Sequence, residues 1–173
     1  MSLTVVAPPV VARLGLISVD SSVSLEESIR HCRLDYIQPD ILNVLPQLKV
    51  GSRPGKNRIE ISIAHFNRSI GLLSVIRELS HLGFQGADFP ELLSVCVHFP
   101  SLQCQFPLIA AGACCRNKGG DCGVPYLWYG HRTGNRTLLL NWAAGHHDRL
   151  AREFQPFCRF VVMPKNPAEQ SAS

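Results

Sequence analysis

The chain of 173 residues has the size of one domain and is long enough to bury a core without disulfides or metal. Hydrophobic residues make up 46% and charged residues 17%, which excludes an intrinsically disordered chain. The net charge of +4 is local, because residues 114–165 hold eight bases and three acids whereas residues 1–113 are neutral. The basic C-terminal third of the chain could bind nucleic acid or an acidic partner. No block of like charges occurs there, however, which favours an ordinary solvent-exposed face.

Targeting signals and cysteines bear on the compartment. No run of about 18 apolar residues predicts a membrane helix. The first twenty residues have no basic segment before their apolar run, which Pro8 and Pro9 interrupt, so we expect no signal peptide and a cytoplasmic protein. The seven cysteines are odd in number, which favours mostly free, buried thiols. A bridge from Cys122 to Cys114 or to Cys115 stays open as the alternative.

The first third of the chain predicts a strand, a short helix and a long loop. Residues 10–19 have the apolar content of a strand. Ser24 and Glu27 have the spacing of a capping box, which predicts a helix at about 25–33. The prolines and glycines of residues 38–57 predict a loop.

A strand and two helices are predicted next. Residues 58–66 alternate between isoleucines and small or polar side chains, as in a half-buried strand. Ser69 is the predicted N-cap of a helix that starts at Ile70 and closes at Gly83. A second helix is predicted to begin at Asp88, which precedes an early proline and a glutamate.

The C-terminal half predicts strands separated by long loops. Segments of strand length occur at residues 108–113, 124–129, 136–142 and 159–163. A strand followed by two helices and then by several strands predicts the α+β class.

Six short motifs lie between residues 24 and 165: His65–Ser69, Gly83-Phe84, Phe89–Leu93, Phe99–Gln103, Phe106–Ala110 and Cys158–Val162. In order and spacing they resemble a family of uncharacterised short bacterial proteins, many from candidate-phyla genomes. The C-terminal half of that family is similar to the C-type-lectin-like fold of formylglycine-generating-type domains, which diversity-generating retroelements use for their variable proteins. The resemblance implies a C-type-lectin-like α+β domain with two packed helices and a mostly antiparallel sheet. It also implies a scaffold that displays a ligand-binding surface rather than an enzyme.

The chain departs from the family pattern at two places. Gln85-Gly86-Ala87 stands where relatives have Arg-Pro-Ala, and Cys158 stands where they have an aromatic residue. The paired catalytic cysteines of formylglycine-generating enzymes have no counterpart here, so that activity is not carried over. We divide the chain into an N-terminal arm with a short helix and linker (1–57), a C-type-lectin-like domain (58–165) and a disordered tail (166–173).

The predicted binding surface lies on a hairpin at 126–132 and a loop at 141–150, which combine aromatic, basic and amide side chains. The predicted ligand-binding residues are Tyr126, Trp128, Tyr129, His131, Arg132, Asn141, Trp142, Ala144, His146, His147, Asp148 and Arg149. The alternative for Trp128, Leu139 and Trp142 is a place in the core on alternating strand faces. The expected partner is a protein or a small molecule, with no catalytic residue, cofactor or metal.

Other functions stay open. A small enzyme could use a Cys–His pair, although no local signature of a cysteine enzyme occurs. A basic, aromatic surface could bind nucleic acid. Cysteine and histidine side chains of the last third could meet around a metal. Adjacent Cys114 and Cys115, separated by six residues from Cys122, do not match the closely spaced pairs of zinc sites.

Overall fold

A mixed sheet with helices on both of its faces organises the chain. The computed structural model describes residues 8–48, 55–120, 122–143 and 153–165. The predicted α+β class is confirmed. The predicted disordered tail at 166–173 lies outside the described residues. No helix in the described part of the chain is long and apolar enough to cross a membrane.

The described residues form nine strands, four α-helices and one 3₁₀ turn. The strands are β1 Val10–Asp20, β2 Tyr36–Ile37, β3 Lys56–His65, β4 Phe84–Gly86, β5 Leu108–Ile109, β6 Cys115–Arg116, β7 Cys122–Gly130, β8 Asn135–Ala143 and β9 Arg159–Pro164. The helices are α1 Leu25–His31, α2 Asp40–Val44, α3 Leu72–His81 and α4 Phe89–His98, and the 3₁₀ turn is Leu102–Cys104.

The sheet runs in the order β1-β3-β9-β5-β7-β8-β2, with β4 added beside β9 and β6 beside β7. Most neighbours are antiparallel, while the β5–β9 and β2–β8 pairs are parallel. β1 pairs with β3 from Val10 opposite His65 to Asp20 opposite Lys56. The predicted N-terminal arm therefore contributes a strand to the same sheet, and the proposed division at residue 57 stays a prediction.

Both faces of the central strands are buried. On β3, Ile61 and Ile63 join a core with α1, α2 and α4, whereas Ala64 joins a second core with α3. On β9, Val161 lies in the first core and Phe160 in the second. The prediction of a half-buried strand at 58–66 is therefore wrong for its second half, because helices cover both sides of the sheet.

The two long helices lie on opposite faces of the sheet. The buried side chains of α3 belong to the second core and those of α4 belong to the first, where α4 packs against α1. The resemblance implied two packed helices. In this chain the sheet lies between the two long helices, and α1 is the helical neighbour of α4.

The helix ends show which local signals hold. The Ser24 hydroxyl accepts a hydrogen bond from the Glu27 N–H at 3.1 Å, so the predicted cap is confirmed. Gly83 follows the C-cap of α3 with φ +79°, also as predicted. The predicted start of α3 is wrong, because Ile70 exchanges two backbone hydrogen bonds with Phe154 and stays extended until Gly71 caps the helix.

Two segments differ from their predicted structure. Helix α2 lies in the predicted loop at 38–57, where burial of Ile41 and Val44 holds a helix too short to show a period. Within 108–113 the strand ends at Ile109. Gly112 then leaves the sheet and donates its N–H to the Ala87 carbonyl at 3.1 Å.

Candidate binding site

The β7–β8 hairpin sends the predicted binding residues to two different faces of the sheet. Asn141 lies opposite Val124, so it shares a face with Tyr126 and Trp128. Trp142 lies opposite Gly123 and therefore on the other face. The alternation of side chains along a strand thus separates the two tryptophans.

Three of the predicted residues line one pocket of about 240 Å³. Tyr126, Trp128 and Asn141 form its floor on the sheet, and the segment that precedes β9 forms its wall. Phe157 lies on that wall with its ring centroid 6.5 Å from that of Trp128. Its side chain is 54% exposed, which is unusual for a phenylalanine. We call this the aromatic pocket.

Backbone and side-chain contacts fix the wall of the aromatic pocket. Phe154 is tied to Ile70 by the backbone bridge, and its ring packs edge-on against Phe160 in the second core. The Arg159 guanidinium donates to the carbonyls of Pro156, Phe157 and Cys158 at 3.4, 3.0 and 3.2 Å. These contacts hold Phe157 outward without burying it.

A buried polar network fixes the floor. Gln103 is buried and donates to the Trp128 carbonyl at 2.9 Å, and the Thr137 hydroxyl donates to the same carbonyl at 3.2 Å. The Arg136 guanidinium donates to the Gln103 side-chain oxygen at 3.3 Å. The Arg136 backbone in turn bonds to Asp35 through both its N–H and its carbonyl. The floor is therefore held by hydrogen bonds from the 3₁₀ turn, through Gln103, and from the segment before β2, through Asp35.

The remaining predicted residues lie elsewhere. His131 and Arg132 are exposed at the tip of the hairpin, where the Tyr129 and His131 rings meet edge-on at 5.1 Å. These three residues line neither the aromatic pocket nor the groove described next. The predicted residues of the following loop lie outside the described residues: Ala144, His146, His147, Asp148 and Arg149.

Trp142 lines a larger cavity of about 940 Å³ on the opposite face, between α2 and the β6–β7 loop. We call this the polar groove. Its other lining side chains include Asp40, Asn43, Gln47, Arg116 and Lys118. The alternative that Trp142 belongs to the core applies in part, because the ring also packs against the first core.

A disulfide between Cys114 and Cys122 closes the β6–β7 loop. Of the two pairings that the sequence left open for Cys122, the structure therefore shows the one with Cys114. For these two residues the expectation of free thiols is wrong. Five cysteines are free, and four of them are buried. Burial raises the pKa of the Cys115 thiol, so this neighbour stays protonated and is a poor attacker of the bridge. The cytoplasmic location stays a prediction.

The described thiols bear on the enzyme alternative. Cys32 and Cys96 are buried, and the interaction between their thiols raises the pKa of Cys32 and lowers that of Cys96. The Arg136 guanidinium, 3.3 Å from the Cys96 sulfur, adds to the lowering. Cys96 also bonds to Gln103 at 3.3 Å. This thiol therefore belongs to the network beneath the hairpin, and its pKa is lowered there by a thiol and a guanidinium.

Comparison with known proteins found no matching family model, curated protein or solved structure. Seven residues of the aromatic pocket were not predicted from the sequence: Pro107, Ile109, Glu153, Phe154, Gln155, Phe157 and Cys158. The available signal was an aromatic pair in an otherwise polar loop directly before the last strand. That signal shows apolar side chains, but only the bridge between Ile70 and Phe154 brings them to Trp128.

Proposed function

We propose that this protein is a non-enzymatic binding scaffold whose recognition surface lies on the β7–β8 hairpin and the segments beside it. The observation that carries the proposal is the aromatic pocket. Tyr126, Trp128 and Phe157 supply partly exposed rings there, and Asn141 supplies an amide. Large rings with a few polar groups are the usual chemistry of binding surfaces.

The size of the pocket favours a protein partner over a small-molecule substrate. Its volume of about 240 Å³ lies below the range of roughly 300–1,000 Å³ that is typical of small-molecule sites. It suits one aromatic or branched aliphatic side chain of a partner, inserted as an anchor beside a polar rim. Glu153 and Gln155, which are exposed at the edge, would form that rim.

Pre-organisation also supports binding. Gln103 donates a hydrogen bond to the Trp128 carbonyl, and the Arg159 guanidinium donates one to the Phe157 carbonyl. A pocket whose walls are already in place loses little conformational entropy when it is filled. Gln103, which holds the pocket floor, is buried, whereas the rings of Tyr126, Trp128 and Phe157 are partly exposed, so the ring-bearing positions can vary while the fold is kept.

The finer assignment is a C-type-lectin-like domain of the kind that diversity-generating retroelements diversify. It rests on the resemblance and on the mixed, mostly antiparallel sheet that carries the hairpin. The test is genomic. We expect a reverse transcriptase gene and a near-identical template repeat beside this gene, with mismatches concentrated in codons 126–149. A gene neighbourhood that lacks both would overturn this assignment and leave the binding proposal to the next experiment.

The binding proposal is tested with ring-shaped probes. Indole and p-cresol are titrated into the isotopically labelled full chain, and the indole N–H of Trp128 and the side-chain amide of Asn141 are followed by NMR. We expect saturable shifts at both groups. Phe157→Ala removes one wall and should weaken binding several-fold.

Leu42→Ala is the matched control, because Leu42 is 57% exposed and lies on α2, which packs on the opposite face of the sheet from the aromatic pocket. Equal binding by the Phe157 and Leu42 variants, or no saturable shift at Trp128, would contradict the proposal. The enzyme alternative is tested separately with esterase, amidase and protease substrates. Turnover that is lost on thiol alkylation would replace the scaffold with a cysteine enzyme.

A further inference from the structure

The polar groove has the size and chemistry of a small-molecule site. Its volume of about 940 Å³ lies within the range of such sites, and it is lined by three segments that are distant in sequence. Helix α2 and its C-terminal end contribute Asp40, Asn43 and Gln47. Strand β6 contributes Arg116, and the β6–β7 loop contributes Lys118.

The loop side of the groove is pre-formed. The Gln47 amide donates to the Arg116 carbonyl at 2.9 Å and accepts from the Arg116 N–H at 2.7 Å, which locks β6 to the end of α2. The Arg116 guanidinium donates to the Gly120 carbonyl at 3.0 Å. The disulfide closes the loop at its base. Both cationic residues are therefore carried on a segment that is tied at several points.

Trp142 supplies an aromatic surface in the same groove. A Cβ built on Gly123 would lie 2.7 and 2.8 Å from two ring atoms of Trp142, so the ring lies directly over the bare glycine backbone. This places the indole at the end of β8, where it lines the groove. A planar ring that enters the groove has an aromatic face to stack on.

We propose that the polar groove binds a nucleotide, with the base stacked on Trp142 and the phosphate held by Lys118 and Arg116. Among the described lining residues, two cations and one carboxylate, that of Asp40, favour an anionic group at the loop side. An aromatic platform favours a planar base over an aliphatic group. The groove lies on the opposite face of the sheet from the aromatic pocket, so this proposal does not rest on the function proposed above.

The experiment uses the fluorescence of Trp142. The chain has two tryptophans, and in a Trp128→Phe background Trp142 is the only one left. AMP is titrated first, and adenosine and inorganic phosphate are titrated as its separate halves. A single-stranded oligoadenylate is titrated in parallel, which distinguishes a free nucleotide from one within a nucleic acid.

We expect saturable quenching by AMP or by the oligoadenylate, with adenosine and phosphate both weaker than AMP. Added salt should weaken binding. In the same background, Lys118→Ala should raise the Kd for AMP about fivefold, the loss expected for one exposed charge contact. Both Lys118 and the control residue Lys56 are exposed, and Lys56 lies on β3. The Lys56→Ala variant should bind like its parent.

Three results would overturn the proposal. The first is no quenching by either AMP or the oligoadenylate. The second is equal affinity for adenosine and AMP, which would exclude phosphate recognition. The third is equal binding by the Lys118 and Lys56 variants.

Discussion

The Cys114–Cys122 disulfide ties down the loop that carries the cationic side of the polar groove. Cys114→Ser removes it with little direct damage, because Cys114 is exposed and the Cys122 thiol that remains is buried, where a free cysteine packs as a small apolar side chain. The variant should unfold more easily than the oxidised wild type. The reason lies mainly in the unfolded chain, which gains freedom when the cross-link is lost.

The magnitude follows from the length of the closed loop. The two cysteines are separated by 8 positions in the sequence. Loop-closure entropy for a ring of this size corresponds to about 2.5 kcal/mol at 25 °C. With a urea dependence of roughly 2 kcal/mol per molar, the unfolding midpoint should fall by about 1 M.

Urea unfolding in the presence and absence of a thiol reductant measures this directly. Reductant should lower the wild-type midpoint to that of Cys114→Ser and leave the variant unchanged. Cys104→Ser is the control, since Cys104 is a free, partly exposed cysteine outside the bridge. Equal midpoints for oxidised wild type and Cys114→Ser, or an equal shift in the Cys104 variant, would show that closing this loop does not stabilise the protein.

Three further predictions concern residues that stabilise the fold around the two cavities. Gly112→Ala should destabilise the protein strongly, because the added Cβ would lie 2.4 Å from the Gly86 carbonyl oxygen; thermal unfolding checks this, and an unchanged Tm would contradict it. Burial raises the pKa of the Asp88 carboxyl in the folded protein. The protonated carboxyl therefore contributes to the free energy of unfolding below its unfolded pKa, and this contribution is lost as the pH rises through the higher folded pKa. Asp88→Asn should therefore gain stability relative to wild type as pH rises from about 4 toward neutrality, and urea unfolding at several pH values should show a difference that changes with pH, not a constant one. Gln103→Met keeps the volume of a buried side chain but leaves the Trp128 carbonyl without this donor, and should cost about 1–3 kcal/mol in urea unfolding; a neutral effect would show that the network is dispensable.

Local signals were read correctly from the sequence. The capping pair Ser24 and Glu27, the glycine that ends α3 at Gly83 and the start of α4 after Asp88 all occur where the pattern predicts them. Each depends on residues a few positions apart, so the local sequence is enough to indicate it where no distant segment holds the backbone. The α+β class follows from the same local patterns taken in order along the chain.

Signals failed where a distant segment decides the local structure. Ser69 has the side chain of an N-cap, yet Ile70 is held extended by Phe154, which lies more than eighty positions away in the sequence. Likewise, the strand at 108–113 is cut short because Gly112 turns toward Ala87. A backbone hydrogen bond to another part of the chain outweighs the weak preference of a single side chain.

The candidate site divides in the same way. The residue pattern alone indicates that aromatic, amide and basic side chains gather on the last strands, and it leaves two candidate partners for a bridge at Cys122. The folded chain places Trp128 and Trp142 in different cavities, because strand register sends them to opposite faces of the sheet. It also decided the pairing of Cys114, because Cys115 points into the core beneath Gly123. Register and burial depend on contacts between distant segments, and no local pattern in the chain specifies them.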